Sequence, residues 1–348
     1  VNIDPTLFEA PITPEERSTF LGRFYPQGVS ANMNIIYATA ATATLCVIAL
    51  IGVGFVEWLA SSRVLILFAL IASLSLGFTF VGKELVFRTR LKISIKAYRF
   101  ATAYGFSYIP EIANPDNQGF IFTVQNVKDR VILNSITDAS GSQFEIGTFQ
   151  YVQGSGKNQV ERKIGFMRIQ LDRNLPHMVL DTTADDTKFF GIRQSNLGMS
   201  FTKDQAMRLE GNFNDYFTLY APKEYETDAL YVFTPDLMAR LIDNAGSFNA
   251  EIVDSSLYIY STNDIPLDQP ETYEKLFGIY NTVGLKALKQ TGNYRDSRSE
   301  VRGEVANQGR RLSRRTAITI GTAVVIVFVI YALPVIVASI EELLTEVF

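Results

Sequence analysis

Three stretches of this chain are apolar and carry no charge. Asn34 to Val56 runs for 23 residues and ends at Glu57. Val64 to Gly82 follows the polar stop Ser61-Ser62-Arg63 and ends at Lys83. Thr316 to Ile340 lies between Arg314-Arg315 and Glu341-Glu342. A helix needs about 20 residues, rising about 1.5 Å each, to cross about 30 Å of hydrocarbon, so the pattern predicts three transmembrane helices. Core helices of a soluble protein would be shorter and polar on one face. A secretory leader fits the first run poorly. Asp4, Glu9, Glu15 and Glu16 precede it, and a leader's apolar core spans only about 7–15 residues. None of the three runs contains an ionisable Asp, Glu, Lys, Arg or His, so no proton relay is visible in them. The small residues from Ala38 to Thr44 let helix backbones approach closely, against a neighbour in this chain or a second copy. Pro334 removes one helical hydrogen bond, and a kink is expected there.

Helical periodicity continues over 83–104 and stops at Gly105. Arg88, Lys92, Lys96 and Arg99 recur on one face of that stretch, where anionic headgroups would attract them or where they serve only to set topology. Beyond Gly105 the texture changes to short apolar runs cut by Gly, Asn, Asp and Pro. Phe144–Val152 and Val160–Leu171 read as a long hairpin around the polar loop 153–158. Phe213–Tyr220 and Leu230–Phe233 are further strand candidates. A helix is expected from Thr234 as N-cap and Pro235 at its first turn, with Gly246 as its stop. Glu251–Val253 and Leu257–Tyr260 read as a tight hairpin, and Glu271–Lys289 as an amphipathic helix.

Basic residues set the orientation. Six Lys or Arg lie between Lys83 and Arg99, seven Arg between Arg295 and Arg315, and the tail 341–348 has only acidic charge. The block between the second and third runs is therefore expected in the cytoplasm. The expected organisation is a cytoplasmic segment 1–33, a membrane hairpin 34–82, a basic juxtamembrane helix 83–104 and a domain over 105–292. A basic linker 293–315, a third span 316–340 and an external tail 341–348 follow. The fold class expected is α+β: three transmembrane helices with a cytoplasmic, largely antiparallel-sheet domain.

Composition narrows the chemistry. The 348 residues hold 32 Lys and Arg against 36 Asp and Glu, a net charge of −4, which argues against a whole-surface nucleic-acid binder. Charged residues are 20% of the chain, below the soluble average of about 25%. One cysteine, Cys46, and one histidine, His177, exclude intrachain disulfides, zinc ribbons, Fe–S clusters and multi-histidine metal sites. Cys46 lies in the first apolar run and reads as a packed or lipid-facing residue. Gly154-Ser155-Gly156-Lys157 resembles the end of a phosphate-binding loop, but Asn158 replaces the magnesium-binding hydroxyl and Tyr151 the first glycine. Gln159 likewise breaks the dinucleotide pattern. His177 has Asp172, Asp181, Asp185 and Asp186 near it in sequence, yet no nucleophile elbow accompanies it, so a structural role is expected. No cofactor, metal or catalytic residue is assigned.

The segments Phe144-Glu145-Ile146-Gly147, Leu175-Pro176-His177-Met178-Val179-Leu180, Leu230 to Met238 and Leu257-Tyr258-Ile259 resemble those of an uncharacterised bacterial membrane-anchored family. The likeness covers roughly residues 33–262. It implies an N-terminal membrane hairpin and a cytoplasmic domain with a "Leu-Pro" strand, a "Thr-Pro" helix and a final "Leu-Tyr" hairpin. Some members are linked by gene neighbourhood to LemA-type membrane proteins, which implies a partner-binding role. The third apolar run and acidic tail depart from the simplest family pattern. The expected function is a membrane-tethered cytoplasmic binding or scaffold module in contact with the lipid bilayer and a protein partner. An enzyme built on Asp, Glu, Lys and Tyr, or an accessory subunit of a transport assembly, are the alternatives.

Overall fold

The computed structural model describes residues 3–26, 41, 44, 63–154, 156–183, 187–189, 192–194, 201–209, 212–245, 248–261 and 264–313. Along the chain, α1 (Thr6–Glu9), α2 (Pro14–Phe24) and α3 (Arg63–Ala103) precede β1 (Ser107–Ala113), β2 (Val127–Thr137), β3 (Phe144–Gln153) and β4 (Val160–Thr182). Then come β5 (Thr187–Phe189), β6 (Ile192–Gln194), β7 (Ala206–Met207), α4 (Phe213–Tyr216) and β8 (Phe217–Tyr220). Helices α5 (Glu226–Val232) and α6 (Pro235–Ala245) lead to β9 (Asn249–Tyr260), α7 (Pro270–Ile279), α8 (Leu285–Thr291) and α9 (Asn307–Arg310). The chain divides into two compact units, Val1–Gln170 with Leu257–Lys286, and Leu171–Ser256 with Ala287–Phe348. Residues 105–292 are thus shared between them.

In the first unit β1, β2, β3 and the start of β4 form an antiparallel sheet. The predicted hairpin is present, with β3 and β4 in unbroken register from Phe144↔Ile169 to Gln153↔Val160. Gly154 and Gly156 take positive φ angles of 93° and 58° at its turn, a backbone that glycine adopts without cost. Phe122 packs 4.6 Å from the Phe149 ring and 5.1 Å from that of Phe166. The C-terminal half of α3 buries Leu91, Ile95, Ala97 and Phe100, and the Phe100 ring stacks 3.8 Å from Tyr273 of α7. Helix α3 ends as its sequence predicts. Gly105 has φ 71°, and the Phe106 N–H donates back to the Ala101 carbonyl at 2.8 Å. The N-terminal helix α2 is capped by Thr13, whose hydroxyl accepts from the Glu16 N–H at 3.1 Å. Its Phe20 is buried against Leu91 and Ile95.

In the second unit β4 continues and pairs with β8 from Val179↔Tyr220 to Thr182↔Phe217, and β7 pairs with β8. The expected helix at Pro235 is α6, although the Thr234 hydroxyl is buried, has no hydrogen-bond partner among the described residues and does not cap it. Leu230–Phe233, expected as a strand, is helical to Val232, and Phe213–Tyr216 is one helical turn before β8. Glu251–Val253 and Leu257–Tyr260 form no hairpin: β9 is one strand through Asp254, whose φ of 51° adds a local kink.

The expected fold class needs a correction. An antiparallel sheet with helices is present, but among the described residues no helix is long and apolar enough to cross a membrane. The runs 34–56 and 316–340 lie outside the described residues apart from isolated positions 41 and 44. Val64–Gly82 is the first part of α3, which continues without a break to Ala103. From Phe87 onward this helix alternates charges with apolar residues packed on protein, a pattern made for a domain surface and not for lipid on all sides.

A cavity between helix α3 and the sheet

Strand register assembles the candidate site. Glu111 pairs with Leu133, Leu133 with Thr148, and Thr148 with Gly165, so one row of side chains crosses four strands on one face. Over this row lies a cavity of about 140 Å³ in the first unit. Helix α3 roofs it with Phe87, Arg90, Leu91 and Ser94, spaced i, i+3, i+4 and i+7 on one helical face. The row must end in glycine. A Cβ at Gly165 would come within 2.8 Å of Ile265 Cβ, and Ile265 fills that space as part of the cavity wall.

The lining mixes apolar surface with placed polar groups. Asn134 has a positive φ of 54° where the β2 register shifts, a conformation asparagine tolerates. Its Oδ1 accepts from Ser94 Oγ at 2.8 Å and from Tyr108 Oη at 2.8 Å. Burial pushes the Tyr108 hydroxyl well above the ordinary tyrosine range, so it stays a donor. Thr148 Oγ1 donates to Asp264 Oδ1 at 2.8 Å. Arg90 and Lys163 share Glu161, at 3.1 and 3.5 Å. Glu111 has no cation partner among the described residues. Its charge, after burial, raises the pKa of Tyr25, which also lines the cavity. These groups can hold and orient a small molecule. The one hydroxyl bonded to a carboxylate among them is that of Thr148, on Asp264.

His177 lies in the second unit and is buried. Its Nδ1 accepts the Leu312 N–H at 2.9 Å. Nε2 therefore carries the proton and donates it to Glu251 Oε1 at 2.7 Å. Both ring nitrogens are occupied. Neither Asp172 nor Asp181, the described aspartates near His177 in sequence, is its hydrogen-bond partner. Neighbouring bonds hold the same segment: Arg311 reaches both Asp254 oxygens at 3.0 and 2.9 Å. Gln205 clamps the Ser313 backbone through two bonds of 2.9 Å. Residues 293–313, expected as a linker, are thus tied to this unit. Asp296 anchors them further by accepting from Tyr225 Oη at 2.7 Å and the Ala306 N–H at 2.9 Å.

The four basic residues of the juxtamembrane face have different environments. Arg88 is exposed and pairs with Glu84 at 2.8 Å, and Lys92 is exposed. Lys96 is half-buried. Arg99 is committed to the N-terminal segment, meeting Glu16 at 2.7 Å and donating to the Leu7 and Ala10 carbonyls at 2.7 and 3.0 Å. Cys46 and Asp185-Asp186 lie outside the described residues. No cluster of three metal-binding side chains occurs among the described residues.

No family model matches this chain, and no curated relative matches it by sequence. Among solved structures, the mycobacterial trehalose monomycolate transport factor A is similar at 9% identity. The match covers 58% of this chain and 93% of that one, with a TM-score of 0.32. A likeness of that size carries no argument about function.

Proposed function

We propose that the protein is a binding module held at the cytoplasmic face of a membrane, with the cavity under α3 as its ligand site. One observation carries this reading: a single helix both roofs the cavity and displays a bare apolar stripe. Ile71, Leu74, Phe78, Val81 and Leu85 are exposed at alternating spacings of three and four, with Phe78 at 81%. Exposed apolar side chains aligned this way mark an interaction surface, and Arg88 and Lys92 follow at its end, where anionic headgroups favour positive charge. The mixed apolar and polar lining of the cavity suits it to hold and orient a small ligand.

The test uses the full chain with Cys46→Ser and Phe78→Cys, labelled at position 78 with a polarity-sensitive fluorophore. On reconstitution into vesicles with anionic lipid, emission should shift to the blue. Emission unchanged from that of a water-exposed label would overturn the membrane reading of the stripe.

A further inference from the structure

We infer that the cavity takes a primary ammonium ion on a short apolar chain, held at its Glu111 and Tyr25 end; this rests on the ligand-site reading above. Charge is the first argument. Arg90 and Lys163 share one carboxylate, Glu161, which leaves one unit of positive charge near the cavity. Against it stand two carboxylates, Glu111 and Asp264, with no cation partner among the described residues. The uncompensated charge is negative, so an anionic ligand would meet net repulsion and a cation net attraction.

Placement is the second argument. Asp264 already accepts from Thr148, whereas Glu111 has no hydrogen bond among the described residues. It lies two strands from Thr148 in the same row, about 10 Å away at the usual strand spacing. Tyr25 lines the cavity and feels the Glu111 charge. A carboxylate beside an aromatic ring is a receptor for an ammonium ion, which gains from both the charge and the ring face. Leu91 and Leu133 supply the apolar surface for its chain. Size is the third argument: an engineered cavity of about 150 Å³ holds benzene, so about six heavy atoms fit here.

Free amines and the ethanolamine headgroup of a phospholipid both present this chemistry. Binding to the full chain in detergent would be measured by calorimetry with three probes of equal heavy-atom count: pentylammonium, pentanol and butanoate. Pentylammonium should bind at least about tenfold more tightly than either other probe, and Glu111→Gln should weaken it about tenfold. Asp264→Asn should weaken it less, because its charge acts at longer range. Displacement of pentylammonium by phosphatidylethanolamine in nanodiscs would support the site and assign it to the lipid. Retention there would support it and assign the site to free amines. Butanoate binding more tightly than pentylammonium, or Glu111→Gln leaving affinity unchanged, would overturn the ammonium assignment while a Leu133→Trp-sensitive probe would leave the ligand site standing. Failure of all three probes to bind would overturn both.

Discussion

His177 and Glu251 meet at 2.7 Å although 74 residues separate them. The imidazole is not poised for proton transfer to a substrate. Its other nitrogen holds the Leu312 N–H, so the ring bridges a strand and the segment that follows α9. Replacing His177 with Ala removes one hydrogen-bond partner of the buried Glu251 carboxylate and leaves the Leu312 N–H without its acceptor. The expected cost is about 3 kcal/mol, read as a lower denaturation midpoint with unchanged slope. A change below about 0.5 kcal/mol would mean that the bridge contributes nothing to folding.

Asp296 gives the second unit a defined acid sensitivity. Burial alone would raise its pKa. Hydrogen bonds from the Ala306 N–H, Tyr225 and Arg298 outweigh that and hold the carboxyl below its usual range. A depressed folded pKa contributes stability above the unfolded value of about 3.9 and loses it as pH falls through the folded value. Thermal unfolding of the wild type should therefore fall more steeply than that of Asp296→Asn below about pH 4. Their melting temperatures should converge as pH drops. Parallel curves would contradict this role.

Arg99 should separate from the other residues of its basic face. Its bonds to Glu16 and two carbonyls tie α1 and α2 to α3, so Arg99→Gln should cost about 1–2 kcal/mol and increase proteolysis of the N-terminal segment. Arg88→Gln and Lys92→Gln, both at exposed positions, should change stability by less than about 0.5 kcal/mol. Equal effects at all three positions would favour a shared role.

Local pattern was legible where period and punctuation agreed. The β3–β4 hairpin, α6 and the stop at Gly105 each combine a long apolar pattern with Gly or Pro at the boundary. Asp254-Ser255-Ser256 misleads because three polar residues read as a turn, while a single positive φ lets β9 continue. Leu230–Phe233 misleads because four apolar residues fit either period, and the helix that claims them begins at Glu226. The cavity was legible only in part. The spacing of Phe87, Leu91 and Ser94 marks a helical face, but nothing local brings Glu111, Thr148 and Asp264 beside it. Those meet through strand register and a return of the chain after β9. The partner of His177 was likewise set by tertiary structure, not by the aspartates nearest it.

The most direct measurement is native mass spectrometry of the full chain purified in mild detergent, compared with Leu133→Trp. The indole would fill the cavity from β2, and thermal unfolding would establish that the variant folds. A bound small molecule should appear on the wild type and be absent from Leu133→Trp. The same adduct on both proteins, or none on either, would contradict a ligand site under α3.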